Sequence, residues 1–451
     1  MERRDFIKLC SMTGLAVVAG AATDKSARGE STKYTGPFWV YVSQGGGWDV
    51  TSIMDPKGAP NQDAAEENAP TDTMNRYLTA NIRKGGVNDQ LRWAALSESA
   101  DIVGNAGAVA DALVMEQFFE DFQMRLRVIN GIDMMTNAHD VGSRAWVSGN
   151  LAENTPAFLA LVAAELLPGA PMAFVSFGGY SETSGLTSVT RLGNIGAIQR
   201  LAYPHRRYGV NDESYYMTDE TEARVAKARE ERFNAKMQAQ RLPRVRTAMN
   251  TLYMSRLGQN ELKQLVDYLP ENLLPGIAGQ VQLAAAAYKA GLCVGVSVST
   301  GGWDTHGNND TGVAGSVGNL FDGLRNIDTL LGDLQMQDNS VVVCGSDFGR
   351  TPGYNMGNGK DHWAVNSMLM WGAVGGKQIE GGISVGGTTE EHLPLKVNPD
   401  TGAVDPNGIR IQPGHVQNSL RRLAGIETSD SAKLHPVAVP LSELPDLVKL
   451  A

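Results

Sequence analysis

The tetrapeptide Gly-Gly-Trp-Asp occurs twice in this chain, at 46–49 and at 301–304. Each copy follows a run with the composition of a buried strand: Pro-Phe-Trp-Val-Tyr-Val-Ser-Gln at 37–44, and Leu-Cys-Val-Gly-Val-Ser-Val-Ser at 292–299. A third such run, 340–344, passes into Gly-Ser-Asp-Phe-Gly-Arg at 345–350. Short apolar, β-branched runs of this kind are what a sheet buried on both faces requires. Glycine lets the chain turn sharply at a strand end and come close to a ligand. The same reasoning predicts strands over 125–133 and 172–177. Helices are expected over 139–148, 281–290 and 317–334. Strands alternating with helices imply an α/β fold, a parallel sheet joined by right-handed crossovers.

A length of 451 residues allows two or three units, or one large α/β domain with insertions. The first part of the α/β core is assigned to 37–185 and the second to 281–430, with a C-terminal tail over 431–451. Residues 55–74, rich in Pro, Asp, Glu, Asn and Ala, read as an exposed insertion. The intervening 186–280 reads as a mainly helical arm or lid. There Asp219 with Glu222 resembles an N-cap and its acidic partner, and a charged helix runs to about Arg241. Pro243 breaks that helix, and a second helical stretch reaches about Tyr268. The charge run reads as a solvated helix face.

Residues 1–22 have the order of an export signal. Arg3-Arg4 is followed by Phe6 and Lys8, then by an apolar run from Leu9 to Ala22. This is the twin-arginine pattern, with cleavage expected after Ala21 or Ala22. The run is too short to span a bilayer of about 30 Å. The expected location is periplasmic or secreted, with the twin-arginine translocase as a partner during export. No later apolar run of spanning length follows, so no stable membrane span is expected in the mature chain. Lys and Arg total 39 against 49 Asp and Glu, a net charge of −10, which argues against a nucleic-acid partner. Three cysteines exclude a disulfide scaffold. Cys10 lies in the signal, and Cys293 and Cys344 read as buried thiols, with a mutual disulfide the alternative.

In open α/β sheets, ligands bind beyond the carboxyl ends of the strands. Three strand ends here carry a glycine-rich turn and a carboxylate: Asp49, Asp304 and Asp347. His306 lies two residues past Asp304, and Asp361-His362 follows Asp347. A shared Asp/His site of this type suits one or two divalent metal ions, with zinc, manganese and calcium as candidates. Asn137-Ala138-His139-Asp140 falls where a strand hands over to a helix, a place for an oxyanion or a nucleophile, or simply a capping turn. His205, His392, His415 and His435 read as surface residues. The chain has no phosphate loop of the Gly-x4-Gly-Lys-Ser/Thr type.

Taken in order, Gly-Gly-Gly-Trp-Asp, Asn-Ala-His-Asp, Gly-Gly-Trp-Asp-Thr-His, Ser-Asp-Phe-Gly-Arg and Asp-His-Trp, after a twin-arginine start, resemble domain-of-unknown-function family 1501 (DUF1501). The resemblance covers roughly 37–430. It implies a bacterial, exported, sulfatase-like protein of the alkaline phosphatase superfamily. The fold implied is a doubly wound, mostly parallel sheet with helices on both faces and a helical insertion. On the superfamily's template Asp49, Asp304, His306, Asp347 and His362 are similar to metal ligands. Phe348 stands where a further imidazole is expected. His139 falls at the nucleophile position, as nucleophile or as ligand, with Thr136 and Ser143 as fallback hydroxyls. Arg350 or Arg144 would clamp an anionic ester, and Asn137 would lie on the substrate side. The expected activity is hydrolysis of a phosphate or sulfate ester on a small molecule or a polymer. The alternative is a non-catalytic envelope or surface protein that keeps the fold.

Overall fold

The computed structural model describes residues 33–66, 73–170, 172–203, 205–206, 214–242, 245–246, 249, 262–440 and 445–451. The export signal with Cys10, and Pro243, lie outside the described residues. The central sheet contains β1 (Phe38–Gln44), β2 (Arg127–Asp133), β3 (Phe174–Ser176), β4 (Val189–Thr190), β5 (Gly295–Thr300), β6 (Ser340–Ser346), β7 (Val365–Val374), β8 (Lys377–Gln378) and β9 (Ile383–Gly386). Its order is β9-β2-β7-β6-β1-β5-β3-β4, with β8 paired to β7. The central β1 is parallel to both neighbours, with Val40 opposite Val296 on β5 and Val342 on β6. β7 runs antiparallel to β2 and β6. The predicted α/β class and mostly parallel sheet are what the structure shows.

All seven residues of β1 are buried, so the two sides of one strand must meet two different cores. Phe38, Val40 and Val42 join the core formed with α1 (Ala106–Phe122), α5 (Gly276–Lys289) and α6 (Asn309–Asp333). Trp39 and Tyr41 join the core on the opposite side, formed with α2 (His139–Ser148), α3 (Phe158–Leu166) and α7 (Pro413–Leu423). Helices therefore cover both faces. α2 has the predicted bounds. The Thr136 hydroxyl accepts the Ala138 N–H at its start, and Gly149 ends it in the left-handed conformation with φ 77°.

Four expectations are corrected. The helix predicted over 317–334 begins at Asn309, because Gly312 and Gly315 interrupt the apolar period of its first turns; glycines farther along serve close packing. A Cβ on Gly318 would lie 2.6 Å from an Asp111 oxygen on α1, and one on Gly323 would lie 2.8 Å from Ile277 on α5. The stretch 55–74 is not simply exposed: Asp55, Ala59, Ala65 and Thr73 are buried, and Asp55 accepts the Thr388 hydroxyl at 2.6 Å. The charged helix α4 (Asp219–Ala239) buries nothing, as expected of a solvated face, but its N-cap is Thr218; Asp219 instead meets His205 at 2.5 Å. Of the four histidines read as surface residues, His205, His392 and His415 are buried. The two cysteines are free and buried, and burial pushes the Cys293 thiol up to about 12.

His415 shows why a loop histidine can end inside. Pro413 starts α7, and the His415 Nδ1 accepts the Gln412 N–H at 3.0 Å, which places the ring under the helix. Burial holds this imidazole down at about 4, below the usual 6.5. The unfolded chain takes up a proton below about 6.5 and the folded form does not until about 4. Stability from this group is therefore present at neutral pH and lost as pH falls between those values, by at most about 3 kcal/mol. His415→Gln, which keeps an acceptor for Gln412, is expected to flatten the acid limb of a urea-midpoint profile between pH 6.5 and 4.

Candidate metal centre

The two Gly-Gly-Trp-Asp turns lie side by side at the carboxyl ends of β1 and β5, joined by the Gly45 N–H to Thr300 O bond at 2.9 Å. Their tryptophans behave alike. Trp48 and Trp303 are fully buried, meet edge to face at 6.2 Å, and donate their indole N–H groups to Asn366 (2.6 Å) and Gln44 (2.9 Å). Their aspartates do not behave alike. Asp304 is half exposed, whereas Asp49 is buried.

The first turn contributes backbone. With φ of 114° and 70°, Gly46 and Gly47 aim their N–H groups at the Asp347 carboxylate, at 3.3 and 2.7 Å. A Cβ on Gly46 would come within 2.7 Å of the Asp304 nitrogen. The carbonyls of the same two glycines accept from Arg350, whose guanidinium also donates to Lys360 O at 3.0 Å and to Asp304 at 2.5 Å. Arg350 has no exposed surface. All its donor nitrogens are committed, so the expected ester clamp is corrected: this arginine stitches the strand-end loops together.

Around Asp304 stand three imidazoles, each anchored through Nδ1. His139, the first residue of α2, meets Asp347 Oδ2 at 2.7 Å. His362 donates to the Asn137 carbonyl at 2.8 Å, and His306 meets Asp361 at 2.8 Å. A carbonyl oxygen can only accept, so His362 carries a proton on Nδ1 and turns its Nε2 toward Asp304. The Asp347 and Asp361 carboxylates likewise accept from Nδ1 of His139 and His306. The Nε2 atoms of His306 and His362 lie 3.0 and 3.1 Å from Asp304 Oδ1 and 3.1 Å from each other. Two neutral rings protonated at Nδ1 would set lone pair against lone pair, an arrangement that a proton or a metal ion between them relieves. Ligand atoms of His139, Asp304 and His362 all lie within 4.8 Å of one another. Phe348 packs under this group, 4.7 Å from the His139 ring and 4.6 Å from that of His362.

Electrostatics match the geometry. Partial burial pushes the Asp304 carboxyl up, but hydrogen bonds from Arg350 and His362 and the Arg350 charge outweigh it and hold it at about 2. The His306 hydrogen bond holds the Asp361 carboxyl below the usual range. Asp49 is corrected as a member of this group. Its oxygens accept from Thr51, Ser52, Asn309 and, at 2.7 Å, the buried Lys360 ammonium. Burial alone would raise its pKa, and Lys360 brings it below the ordinary carboxylate value. Asp347 reaches the centre through His139, while no hydrogen bond or ion pair joins the Arg144 side chain to His139, Asp304 or His362 among the described residues. Asn137 takes part through its carbonyl. Lys360 went unnoticed in the sequence, although it stands beside Asp361-His362 in the run Lys-Asp-His-Trp.

The model of the family described as "Protein of unknown function (DUF1501)" matches residues 39–399. This chain belongs to the DUF1501 family. No curated protein matches it. Among solved structures it is similar to Ps i-CgsB in complex with k-i-k-neocarrahexaose, at 8% identity and TM-score 0.35, over 89% of this chain and 74% of that one. A structure from work on glycosaminoglycan metabolism by Bacteroides thetaiotaomicron aligns at 8% identity and TM-score 0.30, over the same shares of the two chains, 89% and 74%. The yidJ protein of Bacteroides fragilis, described as a candidate sulfatase, aligns at 10% identity and TM-score 0.24, over 92% and 77%. At these scores no residue role passes from those proteins to this DUF1501 member.

Lys360→Met tests the buried pair directly. It leaves the Asp49 carboxylate without its cation in a dry site and is expected to cost about 3–5 kcal/mol in chemical denaturation. A loss below about 1 kcal/mol would show that Asp49 is not held as this structure has it.

Proposed function

We propose that this DUF1501 protein is an exported, metal-dependent hydrolase acting on a phosphate or sulfate ester, with one divalent ion held by His139, Asp304 and His362. The observation that carries the reading is the set of three Nδ1-anchored imidazoles whose Nε2 atoms surround one carboxylate. Such a donor set fits zinc or another transition metal better than calcium, which prefers oxygen ligands. A bound ion would supply Lewis acidity toward the ester oxygen and a water of lowered pKa. Asp347 and the Asn137 carbonyl hold the ring protons of His139 and His362 at Nδ1, and Arg350 orients Asp304. His306, tied to Asp361, stands against the same carboxylate as a further ligand or proton donor.

His139 serves here as ligand rather than nucleophile, since its free Nε2 is directed at Asp304 across 3.7 Å. The Thr136 hydroxyl accepts the Ala138 N–H just before α2. The anionic ester, on a small molecule or a polymer, would meet the exposed Asn137 and the half-buried Arg144 on the α2 side. The twin-arginine pattern of residues 2–8 and the apolar run after it support passage through the twin-arginine translocase to a bacterial periplasm or to the outside. No helix among the described residues is long and apolar enough to cross a membrane.

A second reading is a non-catalytic envelope or surface protein with at most one structural ion. It is favoured by the Asp49–Lys360 pair and by Phe348, which together take two expected ligand positions out of use. Elemental analysis and assays of aryl sulfates and aryl phosphates with zinc, manganese or calcium separate the two. One ion per chain with turnover, both abolished in Asp304→Ala, supports hydrolysis. One ion without turnover supports the second reading, and no bound ion sinks the first and favours the second. Asp347→Asn, which weakens the anchor of His139, is expected to lower metal affinity about 10–100-fold in a competitive chelator titration.

A further inference from the structure

Lys360 is a fully buried cation whose ammonium has three donors and three oxygen partners: Asp49 Oδ2 at 2.7 Å, Asn75 Oδ1 at 2.9 Å and Thr51 Oγ1 at 3.2 Å. The cage is itself locked. Asn75 donates to the Thr51 hydroxyl at 2.9 Å and to Lys57 O at 2.8 Å, and the Ser52 hydroxyl bridges Asp49 and Asn75, at 2.8 Å to each. One carboxylate, one amide oxygen and one hydroxyl are ligands a hard divalent cation would accept. Here a side chain fills the place.

The backbone of the same residue holds the metal-binding loops. Its N–H donates to Thr305 O at 2.9 Å, between Asp304 and His306. Its carbonyl accepts from Arg350, which binds Asp304. Two residues on comes His362. Three of the residues around the centre are thus tied to a point that is anchored in the core through an ion pair.

We propose that Lys360 is the built-in cation of this centre: its ammonium, fixed in the Asp49–Thr51–Asn75 cage, positions Asp304, His306 and His362 for a single metal ion and takes the place of a second. Lys360 is a positioning residue, since it touches none of the proposed ligand side chains. The inference rests on the metal reading above and makes a separate claim about how the ligands are preset.

The test is a titration of the metal-free full-length protein with Co²⁺, followed by its visible ligand-field absorption, beside a denaturation curve. Wild type is expected to bind one Co²⁺ per chain. Asp49→Asn combined with Lys360→Met removes both charges together, so the unfolding midpoint should stay near wild type while Co²⁺ affinity falls about 10–100-fold and the absorption bands shift. Should the double variant fail to fold, Asn75→Ala decides. It removes one cage oxygen without orphaning Asp49 and should weaken Co²⁺ in the same direction by a smaller factor. Wild-type affinity and spectrum in the folded double variant, or in Asn75→Ala if that is the one that folds, overturn the proposal. So do two Co²⁺ per wild-type chain with one lost in Asp49→Asn. A wild-type chain that binds no Co²⁺ overturns the metal reading and this proposal with it.

Discussion

The site depends on one buried guanidinium. Arg350 donates to the carbonyls of Gly46, Gly47 and Lys360 and to the carboxylate of Asp304. Those acceptors come from three loops at the carboxyl ends of different strands. A buried carbonyl left without a donor costs about 1–3 kcal/mol, and a buried arginine without acceptors costs more. Neither side can be satisfied unless all the loops arrive together. The guanidinium therefore makes the local geometry cooperative, and Asp304 inherits an orientation that a half-exposed side chain would not otherwise keep.

Three aspartates in similar sequence settings receive three different sets of partners. Asp49 is sealed with an ammonium, and Asp304 faces arginine and imidazole at the surface. Asp347 is buried and accepts from backbone N–H groups, the Ser346 hydroxyl and His139. Burial decides among these outcomes. A carboxylate in a dry place must be paired or saturated with donors, whereas one at the mouth keeps a face free for an exchangeable ion. The repeated Gly-Gly-Trp-Asp turn thus yields one sealed and one open aspartate from the same four residues.

Much of the fold was legible because its signals are local. Residues 37–44 are apolar on both alternations, as a strand with helices on each side must be, and α2 occupies the predicted 139–148. The start of α6 was not legible, because Gly312 and Gly315 interrupt the apolar period there, and the packing of Gly312 against Thr305 is a contact that a single helix does not reveal. The histidines follow the same division. His139, His306 and His362 were marked by their strand-end settings. His205, His392 and His415 looked like loop residues, and only their neighbours show them to be buried.

By itself, the sequence determined the α/β class, the strand-end turns, the imidazoles and carboxylates available to a centre, and family membership through motifs in a fixed order. Tertiary structure alone decided which of them meet. Asp49 and Lys360 are 311 positions apart, and Arg350 binds residues 46 and 304 positions away. Side-chain periodicity carries no information about pairings at that separation, because they are set by which strands become neighbours in the sheet. The neutralisation of Asp49 and the shared anchoring of three imidazoles around Asp304 follow from that strand order.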